Sequence, residues 1–299
     1  MRRIHAVDLM LLTTVLLWAL NFTVTKYVIT HGFRPLAYSG VRYGAAAFLV
    51  AGIAYARERS LCIAWRDVPR LVVPAALLLL LNQFGYVYSL RFTTASTVAL
   101  ILGSTPIFVA LFARAVGLEQ LPRSFWLAAL ASFAGVTLVA VGRGGVSGDL
   151  KGDLLAIITA ATWAAYSVAI APLMRRYSPW RISAVVLLGT WIGLAAAASP
   201  QLARQDFHLS WLTWAGFIFA VLGPLVVTNV LWFTALDRVG PSRASLFANL
   251  QPFFAVVFAL LLLSEHMTGL QIVGGIAIGA GIGLERWTRA TIGRASAAD

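Results

Sequence analysis

DLMLLTTVLLW at residues 8–18 returns as DLLAIITAATW at residues 153–163, so that Asp8, Thr14 and Trp18 meet Asp153, Thr159 and Trp163 at a shift of 145. A second set keeps nearly the same register: Ser96, Pro106, Glu119 and Gly135 return as Ser242, Pro252, Glu265 and Gly281, a shift of 146. The chain reads as one unit written twice. Each copy carries five apolar stretches of membrane length, and an odd number of crossings forces the second copy to enter the bilayer from the opposite side. Two halves related by inversion can rock about a shared site near the bilayer midplane, the plan of many secondary transporters.

Composition agrees with a membrane protein. Of 299 residues 60% are hydrophobic, and the mean hydropathy is +0.84, far outside the range of water-soluble domains. About 20 residues at 1.5 Å each cross the hydrocarbon core. Ten runs meet that length, roughly 7–29, 36–56, 71–90, 94–113, 124–142, 153–174, 181–199, 211–236, 241–263 and 268–285. The expectation is an all-α, polytopic membrane protein with ten transmembrane helices in two inverted five-helix repeats, 7–142 and 153–285. They are joined by the Gly-rich stretch from Gly142 to Asp149.

The net charge of +12 does not point to nucleic acid, because no soluble basic patch is available to carry it. With the N-terminus in the cytoplasm, 16 of the 23 Lys and Arg residues fall on the cytoplasmic side and 6 outside, leaving Arg42 within a span. That bias is the positive-inside pattern, and it predicts that both termini are cytoplasmic. Arg2 and Arg3 before an apolar run resemble a signal peptide, but the run has no small-x-small cleavage site and holds Trp18 and Asn21, so an uncleaved first span is expected. The single Cys62 excludes an intrachain disulfide.

Helix breakers are placed with some order. Pro106 and Pro252 are repeat mates, and Gly223-Pro224 interrupts span 8. Each proline removes a backbone hydrogen bond, and in lipid the freed carbonyl must be met by protein or by water in a cavity. Asp8 and Asp153 are expected at the starts of their spans, as helix-start residues. Glycines in span 10 and small residues in span 5 predict close helix packing inside the protein, with a homodimer contact as the other possibility.

Recognition within a membrane needs polar and aromatic groups on one helix face. Thr14, Trp18, Asn21 and Thr25 form one stripe of span 1, and Thr159, Trp163 and Tyr166 form its counterpart on span 6. Span 3 offers Asn82, Gln83 and Tyr86, and span 8 offers Thr228, Asn229 and Trp232. Spans 4 and 9 add Ser104, Asn249 and Gln251. These side chains either brace helices, at roughly 0.6 kcal/mol per hydrogen bond, or bind a ligand. For Trp18 and Trp163, too deep for the interfacial aromatic belt, ligand stacking is the expectation. Arg42 serves either a structural pair or a ligand carboxylate, and it lies near enough to Pro35 to snorkel outward. Lys26 is expected as an interface anchor. All acidic residues and histidines fall in loops, termini or span ends, so transport is expected to be facilitative or by exchange. No metal-ligand spacing, phosphate loop or nucleophile elbow is present, so neither enzyme activity nor a cofactor is expected.

The stretches LLWALNFTVTKYV (16–28) and YSGVRYGAAAFLV (38–50) resemble the start of an EamA domain, and YSLRFTTASTVALILGSTPIFVALFARAVGLEQL (88–121) resembles its end. FTALDRVGPSRASLFANLQPFFAVVFALLLLSEHM (233–267) is a second such end. Over nearly its whole length the chain is similar to the drug/metabolite transporter superfamily. That resemblance implies a ten-helix bundle in the bacterial inner (plasma) membrane, with a cavity lined by spans 1, 3, 4, 6, 8 and 9. It implies export of small molecules by alternating access: amino acids, including aromatic ones, or alternatively lipophilic cations and drugs. Trp18, Asn21, Arg42, Pro106, Glu119, Pro252 and Glu265 match recurring positions of the domain. Tyr166 stands where the first copy has Asn21, so the halves cannot hold a ligand symmetrically.

Overall fold

The computed structural model describes residues 2–117, 123–142, 150–174, 176–228, 231–232, 234–235, 247–248 and 250–295. Among them all regular structure is helical. In chain order the helices are α1 (Arg2–Thr30), α2 (Pro35–Glu58), α3 (Val73–Phe92, preceded by a π-helical turn at Val68–Val72), α4 (Ala95–Leu102), α5 (Thr105–Ala115) and α6 (Arg123–Val141). The second copy supplies α7 (Leu150–Met174), α8 (Pro179–Leu202), α9 (Trp211–Val221, running into a π-helical segment Leu222–Val227), α10 (Gln251–Leu262) and α11 (Gly269–Ala295).

Among the described residues six stretches are long and apolar enough to cross a membrane: Ala6–Thr30, Pro35–Glu58, Val68–Phe92, Ala95–Ala115, Leu150–Met174 and Pro179–Leu202. Shorter apolar helices occupy Ala129–Val139, Trp211–Val227, Gln251–Leu262 and Gly269–Gly281, within the other four expected spans. Parts of spans 8 and 9 lie outside the described residues.

Local chemistry explains the helix ends. α2 opens on Pro35, whose missing N–H costs nothing in a first turn, and stops at Arg59, which turns left-handed at φ 54°. Ser178 and Ser210 cap α8 and α9 by accepting from the N–H groups of Arg181 and Thr213, each at 3.2 Å. Asp8 does not begin its helix, because α1 already starts at Arg2. Asp153 does lie in the first turn of α7 and accepts from the Thr93 hydroxyl at 3.1 Å, joining α7 to the end of α3.

Span 4 is not merely kinked at its proline. It stops at Leu102 and restarts at Thr105, and Pro106 sits in the first turn of the new helix. Pro252 likewise opens α10. In both places proline occupies a position whose N–H has no helical partner, so it costs no hydrogen bond. Glu265, from the loop after α10, caps the first half of the broken span: its carboxylate accepts from Ala95 N at 2.8 Å, Ser96 N at 3.0 Å and Ser96 Oγ at 2.6 Å. A carboxylate there meets orphan donors and the positive end of the helix dipole.

The bundle is built from pairs that the sequence repeat interchanges. α6 lies along α11, and α2 along α8, each helix against its own repeat mate. α3 packs on α7, and the mated pair α9 and α1 also pack. α5 meets α7, and correspondingly α10 meets α1. The α6–α11 contact has almost no room for side chains. A Cβ on Gly135 would come within 2.6 Å of the Gly274 carbonyl, and one on Gly274 within 2.6 Å of the Gly135 carbonyl. Close packing inside one chain therefore accounts for these small residues.

Candidate functional site

α1 carries the two residues around which most of the site assembles. The Trp18 indole donates to Thr228 Oγ1 at 3.1 Å, and its ring lies 5.1 Å from that of Trp232. One turn further along α1, the Asn21 side-chain amide donates to the Tyr86 hydroxyl at 3.0 Å. Thr25, another turn on, donates to Asn21 Oδ1 at 3.4 Å and shares a 3.0 Å hydrogen bond with the Tyr38 hydroxyl. The stripe read from the 4-3-4 spacing is thus one face, and it meets α2, α3 and the end of the α9 segment.

On α3, Asn82 donates to the Thr159 carbonyl of α7 at 2.9 Å and accepts from Gln83 Nε2 at 3.1 Å. The first bond fixes which end of Asn82 is oxygen, and the second then fixes Gln83. Gln83 Oε1 is left buried without a hydrogen-bond partner; among the described residues only Thr23 Oγ1 and Ser39 Oγ share that condition. Such an orphan acceptor costs about 1–3 kcal/mol until a donor meets it. A shift of 146 carries Asn82 and Tyr86 onto Thr228 and Trp232. The α3 contact with α7 and the span-8 contact with α1 are therefore equivalent surfaces bearing different chemistry.

Arg42 does not snorkel. It is 3% exposed, and its Nε donates to the Ala220 carbonyl at 3.0 Å. Residue 224, four positions on, is proline and brings no N–H to that carbonyl, and Arg42 Nε donates to it from α2. The guanidinium carbon stands 5.6 Å from the Tyr38 ring centroid and 6.0 Å from that of Tyr43, within cation–π range. Among the described residues no carboxylate lies within ion-pair distance of it.

The remaining expected residues are placed less centrally. Ser104 is buried and spends its hydroxyl on the Ile101 carbonyl at 2.7 Å, closing the break between α4 and α5. Trp163 lies on α7 with its ring 5.5 Å from that of Tyr166, and at 43% exposure it stands apart from the Asn21 network. Gln251 is the half-buried first residue of α10. Asn229 and Asn249 lie outside the described residues. Lys26, expected as an interface anchor, donates from its ammonium to the carbonyls of Leu90 and Thr93 at 2.6 and 2.8 Å, capping the end of α3. Sequence reasoning passed over Tyr38 and Tyr43, although their spacing from Arg42 in YSGVRY, four residues before and one after, places them beside it.

A sequence model described as the EamA-like transporter family matches residues 5–141 and again 150–285. An uncharacterized transporter of Archaeoglobus fulgidus is 27% identical over 92% of this chain and 95% of its own length. A probable amino-acid metabolite efflux pump of Escherichia coli K12 is 23% identical over 93% of this chain and 95% of its own. A protein of the same description from Salmonella typhimurium is also 23% identical, over 91% of each chain. One solved crystal structure, 18% identical, superimposes with a TM-score of 0.67 over 96% of this chain and 99% of that one, a likeness of fold.

Proposed function

The chain belongs to the EamA-like transporter family, within the drug/metabolite transporter superfamily, and from that premise we propose that it exports small amphipathic metabolites, foremost amino acids including aromatic ones. It is a multi-pass membrane transporter and not an enzyme. In the proposed mechanism two five-helix halves, inverted in the inner membrane with both chain ends cytoplasmic, rock about the face shared by α1, α3, α7 and α9. Support for the halves comes from the packing pairs that the sequence shift interchanges.

The observation that carries the substrate reading is the pairing of aromatic surface with an unmet polar group. The rings of Trp18, Trp232 and Tyr86 provide faces for an apolar side chain. Gln83 Oε1 is a buried acceptor without a donor, which an α-ammonium group would supply once the helices around it part. Asn21 is bonded to α3 of its own half and Asn82 to α7 of the other, so a ligand that exchanges for the Asn82 bond would also loosen the contact between halves. Two relatives described as probable amino-acid metabolite efflux pumps point the same way.

The test is a flux panel of the twenty amino acids in proteoliposomes, repeated with Trp18→Ala and Trp163→Ala. Saturable flux of aromatic amino acids is expected, with Trp18→Ala slowing it by about tenfold or more, since a lost indole face and donor together are worth over 1 kcal/mol. Transport of every substrate at the wild-type rate by both variants would overturn the site.

A further inference from the structure

Given an amino-acid substrate, as read above, we propose that the Arg42 guanidinium binds the carboxylate of the transported molecule and makes the transporter select carboxylates over their neutral analogues. A cation inside a membrane span is costly and is kept for a partner or a purpose. Here the protein supplies only part of the partner. Nε is used on the Ala220 carbonyl, and the rings of Tyr38 and Tyr43 face the charge without neutralising it. Among the described residues the guanidinium makes one hydrogen bond, from Nε, so no protein group accepts from its two terminal amino groups. With Nε pinned, the edge left over is the pair of terminal nitrogens, which matches a carboxylate with two parallel hydrogen bonds.

A purely structural brace needed by the repeat would be expected in both copies, and this one is not. A shift of 145 carries Arg42 onto Leu187, and one of 146 relates Pro224 to Leu78. Proline and arginine thus occur together in one copy only, and the bond from Nε to the Ala220 carbonyl sets the direction of the fork. Tyr38 connects this cation to the ligand face, because its hydroxyl shares a hydrogen bond with Thr25, which in turn bonds Asn21. Arg42 therefore adds charge selectivity to a face that otherwise offers rings and amides.

Competition binding on the purified full chain in detergent tests this, with phenylalanine and phenylalanine amide as probes. The wild type is expected to bind phenylalanine at least about tenfold more tightly than the amide, the usual scale for losing a charge-assisted pair. Arg42→Gln should bring that ratio to about one by weakening phenylalanine alone, and Arg42→Lys, which keeps the charge and loses the fork, should fall between them. Unchanged amide binding by Arg42→Gln would show that its fold is intact. If that variant does not fold, the wild-type ratio and Arg42→Lys decide. Equal wild-type affinities for the two probes, or equal weakening of both by the substitutions, would overturn the carboxylate role and leave the amino-acid reading standing. A wild type that binds neither probe would overturn the aromatic amino-acid reading and this inference with it.

Discussion

Asp67 stands just before the π-helical turn that leads into α3, where the connection between α7 and α8 reaches across to it. The Tyr177 hydroxyl donates to Oδ2 and Arg176 to Oδ1, both at 2.7 Å. These bonds, the Tyr177 one foremost, hold its carboxyl below the usual carboxylate range. A depressed carboxyl stabilises the fold above its unfolded value of about 3.9 and stops doing so as pH falls through its own lower value. Asp67→Asn is therefore expected to melt a few degrees lower than the wild type at pH 7. The gap should stay level down to about pH 5 and close in stronger acid. Melting curves in detergent between pH 3 and 8 check it, and a gap that widens on acidification would refute the assignment. The contrast with Arg42 shows what a sequence can convey at this scale. That Arg42 lies within a span is plain from its neighbours, and its depth made a partner necessary. Which partner could not be read, because the answer is a carbonyl of α9, 178 positions away.

At the level of the helices, hydrophobic length and helix-start chemistry located most of the segments, and the prolines marked where something breaks. What breaks was harder to foresee. A proline can kink a helix from within or open a new one, and residue identity alone does not choose between them. Ser104 and Gly103 decide the matter at span 4 by closing the first half, so Pro106 begins a second helix instead of bending one. The π-helical segments at Val68–Val72 and Leu222–Val227 have no sequence signature beyond a nearby proline. The stripe Thr14–Trp18–Asn21–Thr25 was legible because helical periodicity alone creates it; its partners on α2 and α3 were not, because tertiary packing chooses them. The glycine contact between α6 and α11 gives a clear prediction. Gly135→Ala places a methyl group against backbone of α11, which cannot yield as a side chain could. It is expected to cost about 1–3 kcal/mol, seen as a lower melting temperature. Gly52→Ala on α2, where nothing lies within 4 Å of the new Cβ, should melt no lower than the wild type. Equal melting of the two variants would mean that the close approach is absent.

For the whole molecule, the proposed rocking depends on inversion: a unit of five spans repeated with the opposite sense in the bilayer, so that mated helices face each other around one passage. The exchangeable packing pairs, α3 with α7 against α9 with α1, favour it. The loop after α2 and the loop after α8 are mates under the shift of 145, which carries Cys62 onto Phe207. Both positions are exposed. The most direct test is labelling with a membrane-impermeant maleimide in oriented cells and in inverted vesicles. Two proteins are compared, the natural chain with its single Cys62 and a Phe207→Cys variant in a Cys62→Ser background. Inversion predicts that Cys62 reacts only from the cytoplasmic face and the cysteine at 207 only from the outer face. Labelling of both from the same face would contradict it.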